Sequence, residues 1–386
     1  METEIATVRT EHHHGSHRHL ADVYDDGPAG GEPGNVDAIV VPTIRHPAWL
    51  KHAIRLASEL GCPLVTLHSR KWSKPELAAL LMPSDVQFIA IDIGNPASLS
   101  LPDFRTTAVL KNTPFARVTD LSAKRNIGLL LARLMDWERI VFLDDDIEVG
   151  SKEEVARAAA LLDDYDAVGM HIGGYPDNSV VCHAHRLTGG DQDSFVGGGA
   201  LAVETTRNPS FFPNIYNEDW FYLLDETSLR RLAVTGKVKQ RPYDPFDRHI
   251  RARDQELGDV LAEGVYWLLD GEKGTGWAAA TDPAYWTGFL AQRKAFINDV
   301  LRRVKRLPPG SVANRDAMQE SLEAALGRHH RIDEALCVSY IEAWSEDRRT
   351  WAAHFAGTPQ LKSTADAMKW LVKDGAPQLR WWTSMA

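Results

Sequence analysis

Residues 139–147 constrain this chain more than any other stretch. Four apolar residues lead directly into Asp144, Asp145 and Asp146. A short apolar run predicts a buried strand, and three adjacent carboxylates at its end are costly unless a cation lies among them. Oxygen ligands of this kind suit Mg²⁺ or Mn²⁺, and Mg²⁺ usually shares its shell with substrate phosphates. The stretch therefore predicts a metal–diphosphate site at the carboxyl end of a sheet strand, where open α/β sheets bind ligands.

Composition narrows the class of protein. The 386 residues carry a net charge of −10, which argues against non-specific binding of nucleic acid. Cys62, Cys182 and Cys337 are far apart and lack metal-ligand spacing, as expected in a reducing, cytoplasmic setting. The sequence has no run of about 18 apolar residues and no apolar core of a signal peptide, so we expect neither a transmembrane segment nor a leader.

The order of patterns along the chain predicts three regions. Residues 1–34 are polar, rich in His and then in Gly and Pro, and are interpreted as a disordered tail and linker, with stray metal binding as the alternative. Residues 35–270 alternate between strands and helices, which predicts an α/β domain around a mostly parallel sheet. The predicted strands lie at residues 36–41, 63–67, 86–91, 139–143, 167–171, 180–183 and 200–203, and the predicted helices at 47–60, 74–81, 121–135, 152–162, 219–225 and 256–269.

Residues 271–386 differ from the preceding region in the spacing of their apolar residues and in their tryptophan content. Apolar residues recur at helical spacing, which predicts a helical C-terminal region. Eight of the twelve tryptophans lie from Trp267 onward. Core packing between helices is one interpretation. Contact with a membrane surface or a partner, including a second copy of the chain, is the other.

Asp144 and Asp146 form an Asp-x-Asp pair. Alternate side chains of an extended segment share a face, so both carboxylates can approach one cation. Asp145 then points the other way, toward a sugar hydroxyl or nearby backbone. An acidic turn is the alternative interpretation, since Asp is common in turns.

Lys124 and Arg125 fall in the first turns of a predicted helix. Cations at that end oppose the helix dipole, and a bound phosphate group would relieve the conflict. The alternative is a pair of solvated surface charges.

Gly198 and Gly199 belong to a run of three glycines that lets a ligand approach the backbone closely. Glu218 and Asp219 follow, and a carboxylate near a pocket can act as general base toward a hydroxyl. The alternative is structural: Asn217 is a suitable N-cap, and the two acids would complement the dipole of the following helix.

His249 lies about a hundred residues after Asp146 and is a candidate to complete a metal shell. Arg248, Arg251 and Arg253 are candidates to hold phosphate oxygens or an acidic acceptor. A structural or exposed role for His249 is the alternative.

Taken in this order, the motifs over residues 36–270 resemble a nucleotide-diphospho-sugar glycosyltransferase of the GT-A type, near glycosyltransferase family 2. The resemblance implies a Rossmann-like sheet with flanking helices and places Pro42, Thr43 and Arg45 beside the nucleotide. It also implies that Asp146, with Asp144 directly or through water, holds the divalent ion.

The same resemblance extends to other positions. It puts Lys124, Arg125 and Asn126, on a helix, beside the nucleotide-sugar, with Asp145, Gly198 and Gly199, and it makes Asp219 or Glu218 the acceptor-contacting carboxylate. Residues 244–264 are also similar to the retaining enzymes represented by glucosyl-3-phosphoglycerate synthase and mannosylglycerate synthase, in which a late histidine completes the metal shell. Many relatives have an acidic residue after the second strand, where this chain reads His68-Ser69-Arg70; Asp92, after the third strand, is the candidate substitute.

Other functions remain open from sequence. A phosphatase of the haloacid dehalogenase type also uses Asp-x-Asp, but it needs Thr or Val where this chain has Glu148. A nucleotidyltransferase of related fold needs a Gly-rich phosphate loop that residues 42–47 lack. A binding or scaffold protein without turnover would retain the same residues. The sequence leaves the donor sugar, the acceptor and the stereochemistry undecided.

Overall fold

The computed structural model describes residues 17–24, 34–174, 179–190, 196–270, 276–308, 310 and 314–385. Most of the predicted His-rich tail lies outside these residues. The chain divides into two compact units. The sheet unit comprises residues 18–177, 194–243 and 340–386, and the helical unit comprises residues 1–17, 178–193 and 244–339. The domain boundaries predicted at residues 34 and 270 stay a prediction, and the two units divide the chain at different positions.

The described part of the sheet unit forms one mixed sheet of ten strands. Their order is β1-β9-β7-β8-β5-β2-β3-β4-β10, with β6 paired to β9 outside this path. The strands are β1 Asp22–Tyr24, β2 Ala38–Thr43, β3 Leu64–His68, β4 Phe88–Asp92, β5 Arg139–Leu143, β6 Ile147–Val149, β7 Ala167–Gly174, β8 Ala200–Glu204, β9 Leu232–Gln240 and β10 Arg380–Thr383.

Parallel pairing of β5, β2, β3 and β4 forms the half of the sheet that positions the candidate site. The register aligns Thr43 with His68 and His68 with Asp92. The ends of these strands therefore meet along one edge. β8 pairs antiparallel to β5, but most of the strand pairings are parallel, as predicted for a Rossmann-like α/β fold.

Helices cover the sheet. They are α1 Lys51–Leu60, α2 Pro75–Ala79, α3 Arg105–Leu110, α4 Leu121–Leu134, α5 Lys152–Leu161, α7 Glu218–Tyr222 and α12 Thr364–Trp370. Apolar residues of α1 and α5 form a buried core with those of β2, β5 and β7. Strands β2, β3 and β8 are buried along their whole length, which explains why they are continuous apolar runs rather than alternating ones.

The helical unit contains α6 Val180–Leu187, α8 Ile250–Leu269, α9 Pro283–Arg306 and α10 Arg315–His329. Helix α11, Glu334–Ala356, begins in this unit and ends in the sheet unit. Phe296, Ile297, Val300 and Val304 of α9 are buried in its core, at the helical spacing that the sequence shows. None of the described helices is both long enough and apolar enough to cross a membrane.

Several local predictions were wrong. Residues 180–183 were predicted as a strand but begin α6, because the Ser179 hydroxyl caps the helix and Val180, Val181 and Ala184 pack in the helical core. Asn217 has a left-handed backbone, φ 62°, and its side chain does not cap α7.

A further difference concerns the segment assigned to the tail. Residues 22–24, assigned to the tail, form β1 through parallel pairing with β9.

Candidate active site at the end of strand β5

The three aspartates differ in their exposure. The side chains of Asp144 and Asp146 are 28% and 14% exposed, whereas that of Asp145 is 3% exposed. The Thr43 hydroxyl, at the end of β2, donates a hydrogen bond to Asp145 Oδ2 at 2.5 Å. The outer carboxylates therefore reach solvent, while the middle one fixes β5 to the end of its neighbour β2.

Arg45 supplies positive charge to two of these carboxylates. Its guanidinium contacts Asp145 and donates from Nη2 to Asp146 Oδ2 at 2.9 Å. The same guanidinium lies 4.9 Å from the centre of the Trp49 ring, and so does that of Arg241. Since Arg45 is itself partly exposed, it can exchange its carboxylate partners for another anion.

Arg125 connects Asp144 to the acidic pair at the start of α7, Glu218 and Asp219. Its Nη2 lies 3.2 Å from Asp144 Oδ1, and its Nη1 donates to Glu218 Oε1 at 2.6 Å. Burial lowers the pKa of Arg125, but Asp144 and Glu218 outweigh it and hold that pKa above its ordinary value. A buried, permanently charged guanidinium thus connects the two carboxylate groups.

The glycine run makes room for this guanidinium. A Cβ atom at Gly198 would lie 2.5 Å from Arg125 Nη1, and one at Gly199 would lie 3.1 Å from Asp144 Oδ2. The Gly198 amide also donates to Asp219 Oδ2 at 2.6 Å. These contacts bring Gly198, Gly199 and Asp219 together with Arg125.

Burial controls the protonation of the acidic pair. It raises the pKa of Glu218 to about 7, although Arg125 acts in the opposite direction. It also raises the pKa of Asp219, against hydrogen bonds from backbone amides. A carboxylate with a pKa near 7 holds and releases a proton close to neutral pH, as a general acid or base must.

Lys124 is buried and held by three acceptors. Its ammonium lies 2.9 Å from the Thr43 carbonyl, 2.7 Å from Ser69 Oγ and 3.2 Å from Asp120 Oδ1. Burial lowers the pKa of Lys124. Because an ammonium has three protons, a phosphate oxygen would have to replace one of these partners.

Three other predicted residues have structural partners. Asn126 accepts from the Phe212 amide and donates to the Phe212 carbonyl, and Pro42 lies within the buried β2. Asp92, at the end of β4, is paired with Arg380 of the C-terminal strand. Their contacts with a nucleotide stay a prediction.

His249 belongs to the helical unit, where it directly precedes α8 and is exposed. Its place in a metal shell stays a prediction. Within the described residues, no group of three His, Cys, Asp or Glu side chains is arranged to hold a metal ion.

The residues that are present nevertheless suit a divalent cation. Mg²⁺ is usually bound by one or two carboxylates, with the remaining ligands from water and substrate phosphates. Asp144 and Asp146 supply two partly exposed carboxylates, and Arg45 and Arg125 balance their charge. The donor set fits an ion that is completed by a diphosphate rather than one enclosed by protein.

Sequence reasoning missed Trp49, Arg241 and Ser69. The signal for Trp49 was an aromatic residue placed four positions after Arg45. The signal for Arg241 was the alternating cations of residues 237–241. Ser69 had no signal, since only the fold brings its hydroxyl to Lys124.

Comparison of the sequence with protein-family models and with curated proteins gives no match. The solved structures that match include the following two. The mannosyltransferase PcManGT from Pyrobaculum calidifontis, in complex with GDP-Man and Mn²⁺, has 11% identity and a TM-score of 0.42, covering 84% of this chain and 90% of its own. A putative nucleotide-diphospho-sugar transferase from Desulfovibrio desulfuricans G20 has 11% identity and a TM-score of 0.30, covering 69% and 98%. Likeness this distant carries no argument about the fold or the function of this chain.

Proposed function

We propose that this chain is a metal-dependent glycosyltransferase that moves a sugar from a nucleotide-diphosphate donor to an acceptor hydroxyl. The observation that supports this most is the chain of contacts from Asp146 through Arg45 and Asp145 to the end of β2. It leaves Asp146 a solvent-reaching carboxylate with a partly exposed arginine partner, next to the solvent-reaching Asp144, at the edge where α/β sheets bind ligands.

Asp144 and Asp146 would hold Mn²⁺ or Mg²⁺, with water and the diphosphate as the remaining ligands. A bound divalent ion would neutralise charge that develops on the leaving diphosphate. When the carboxylates bind the ion, Arg45 becomes available to the phosphate oxygens, which it can contact in bidentate fashion. Pro42 and Thr43 border the nucleotide, and Asp92 is the candidate contact for its base.

The acidic pair would serve the acceptor. Asp219 lies against the Gly198 amide, beside a segment whose glycines allow a ligand close to the backbone. If the reaction inverts the sugar, Asp219 or Glu218 takes the hydroxyl proton. If it retains the configuration, the pair orients the acceptor. Arg125 fixes Glu218 in either case.

A panel of UDP- and GDP-sugars, incubated with Mn²⁺ and with EDTA, tests the proposal. We expect one donor to be cleaved only with the metal, and Asp146→Ala to reduce its cleavage at least about 100-fold, because losing a residue that supports a metal site already costs about 10–100-fold. Asp164→Ala removes an exposed carboxylate of the same unit and should leave cleavage unchanged. Cleavage in EDTA, or by Asp146→Ala at the wild-type rate, would reject the proposal. Metal-dependent binding without turnover would support a scaffold.

A further inference from the structure

The sheet unit contains a cavity, with a volume of about 860 Å³, whose charged lining is mainly basic. It lies between the first turns of α1, strand β6 and the end of β9. Its lining includes five Lys or Arg side chains and one carboxylate, namely Lys51, Arg55, Lys237, Lys239, Arg241 and Glu148.

Regular spacing in two elements brings these cations together. Lys51 and Arg55 are four residues apart on α1, so they share a face of the helix. Lys237, Lys239 and Arg241 occupy alternate positions along β9 and just beyond it, so they share a face of the strand. Both faces line the same cavity.

Only part of this charge is compensated by the protein. Arg241 donates to Glu148 Oε1 at 2.8 Å and stacks on Trp49. Arg55 has a longer, exposed pair with Glu59 at 3.6 Å. The ammonium groups of Lys51, Lys237 and Lys239 have no carboxylate within ion-pair distance among the residues that the structure describes.

The positive charge of this cavity is opposite in sign to the net charge of the chain. The whole protein carries −10, yet this cavity has five cations against one carboxylate. His52, also in the lining, adds no opposing charge, and burial lowers its pKa. Like charges repel in the absence of a ligand, and a concave basic surface attracts anions by focusing its field.

We propose that this cavity binds a small, multiply charged phosphate ligand separate from the nucleotide-sugar donor. Several cations around one concave surface suit a ligand with two or more negative groups. The volume lies within the range of small-molecule sites, about 300–1,000 Å³, and exceeds the needs of a single inorganic phosphate. The ligand requires no divalent ion, because lysines and arginines neutralise it directly.

The cavity adjoins the aspartate cluster, so binding there can influence the proposed transfer. The Arg241 amide donates to the Asp146 carbonyl at 3.0 Å, and Arg241 and Arg45 contact the same Trp49 ring. Binding itself does not depend on the proposed glycosyltransferase activity.

Calorimetric titration with inorganic pyrophosphate in EDTA tests the cavity without any metal. We expect saturable binding that weakens with added salt and at least tenfold lower affinity in the Lys237→Ala/Lys239→Ala variant. The matched control, Lys111→Ala/Lys362→Ala, removes the same charge from exposed positions elsewhere in the unit and should bind normally.

Titration with GDP and UDP in EDTA identifies the source of the phosphate. Affinities equal to that of pyrophosphate would support a separate phosphorylated ligand. A nucleoside diphosphate that binds much more tightly than pyrophosphate, and loses that affinity in the cavity variant, would overturn the proposal by making the cavity part of the donor site. Pyrophosphate binding that is absent, or equal in the cavity and control variants, would overturn it as well. Neither result bears on donor cleavage with Mn²⁺.

Discussion

Two clusters of carboxylates with arginines among the described residues, one in each compact unit, differ in exposure. In the aspartate cluster, Asp144 and Asp146 are partly exposed and Arg45 is 40% exposed. In the helical unit, Glu256, Asp259 and Glu263 of α8 are buried. We call the latter set, with its partners Arg293, His329 and His17, the buried helix cluster.

Short ion pairs join the members of the buried helix cluster. Arg293 Nη2 lies 3.0 Å from Glu256 Oε2 and 2.8 Å from Asp259 Oδ2, and His329 Nδ1 lies 3.0 Å from Glu256 Oε1. Exchange of these partners for a ligand would expose charges in a low-dielectric interior, which is expensive. The aspartate cluster can exchange partners at its exposed edge. The comparison indicates a structural role for one cluster and a binding role for the other.

The largest expected effect is on the buried helix cluster. Arg293→Met leaves two buried carboxylates without their cation, and breaking a buried pair in this way costs about 3–5 kcal/mol. Urea denaturation should show that loss in the free energy of unfolding. Metal-dependent donor cleavage per folded molecule should be unchanged. A loss below about 1 kcal/mol would contradict a structural role.

His17 gives the same cluster a pH dependence. Burial lowers the pKa of His17, but hydrogen bonds to Asp270 and Glu263 raise it to about 9. The folded pKa lies above the unfolded value of 6.5, so the stabilisation is complete below pH 6.5 and is lost as pH rises through about 9. His17→Asn should therefore lower stability at pH 6 by about 1–3 kcal/mol.

The stability gap between wild type and His17→Asn should close above pH 9, as followed by denaturation at several pH values. A gap that stays constant from pH 6 to pH 10 would show that His17 stabilises the unit without carrying a charge.

The smallest stability effect is expected at the aspartate cluster. Asp146→Asn removes one of three adjacent negative charges and retains an oxygen for Arg45, so the free energy of unfolding should change by less than about 1 kcal/mol. The matching change in the other cluster, Glu256→Gln, should cost about 1–3 kcal/mol. Equal losses in the two variants would remove the distinction between the clusters.

The alternation of strands and helices could be predicted from the sequence because β2, β3 and β5 are continuous apolar runs bounded by turn residues. Strand β9 was missed, since its lysines and Gly236, at φ 66°, interrupt the pattern. Strand β10 is only four residues long and exists through pairing with β4.

At the candidate site, sequence identified the aspartates and Arg125, whose chemistry is visible in residue type and order. Its prediction that Arg125 lies beside phosphate stays a prediction, and the structure shows Arg125 between Asp144 and Glu218. It also could not foresee that Lys124 is held by Ser69 and the Thr43 carbonyl, because these contacts depend on long-range packing. The ion pairs of Glu256 and Asp259 with Arg293 could not be predicted either, since acidic residues on one face of a helix do not indicate which cations they contact.

The central claim is that the aspartate cluster binds a divalent ion together with a diphosphate. Calorimetric titration of Mn²⁺ in the presence of GDP or UDP, with wild type and Asp146→Asn compared side by side, tests it most directly. The account predicts that Mn²⁺ and the nucleoside diphosphate strengthen each other's binding to the wild type and that Asp146→Asn abolishes this coupling. Identical coupling in both proteins would contradict the claim.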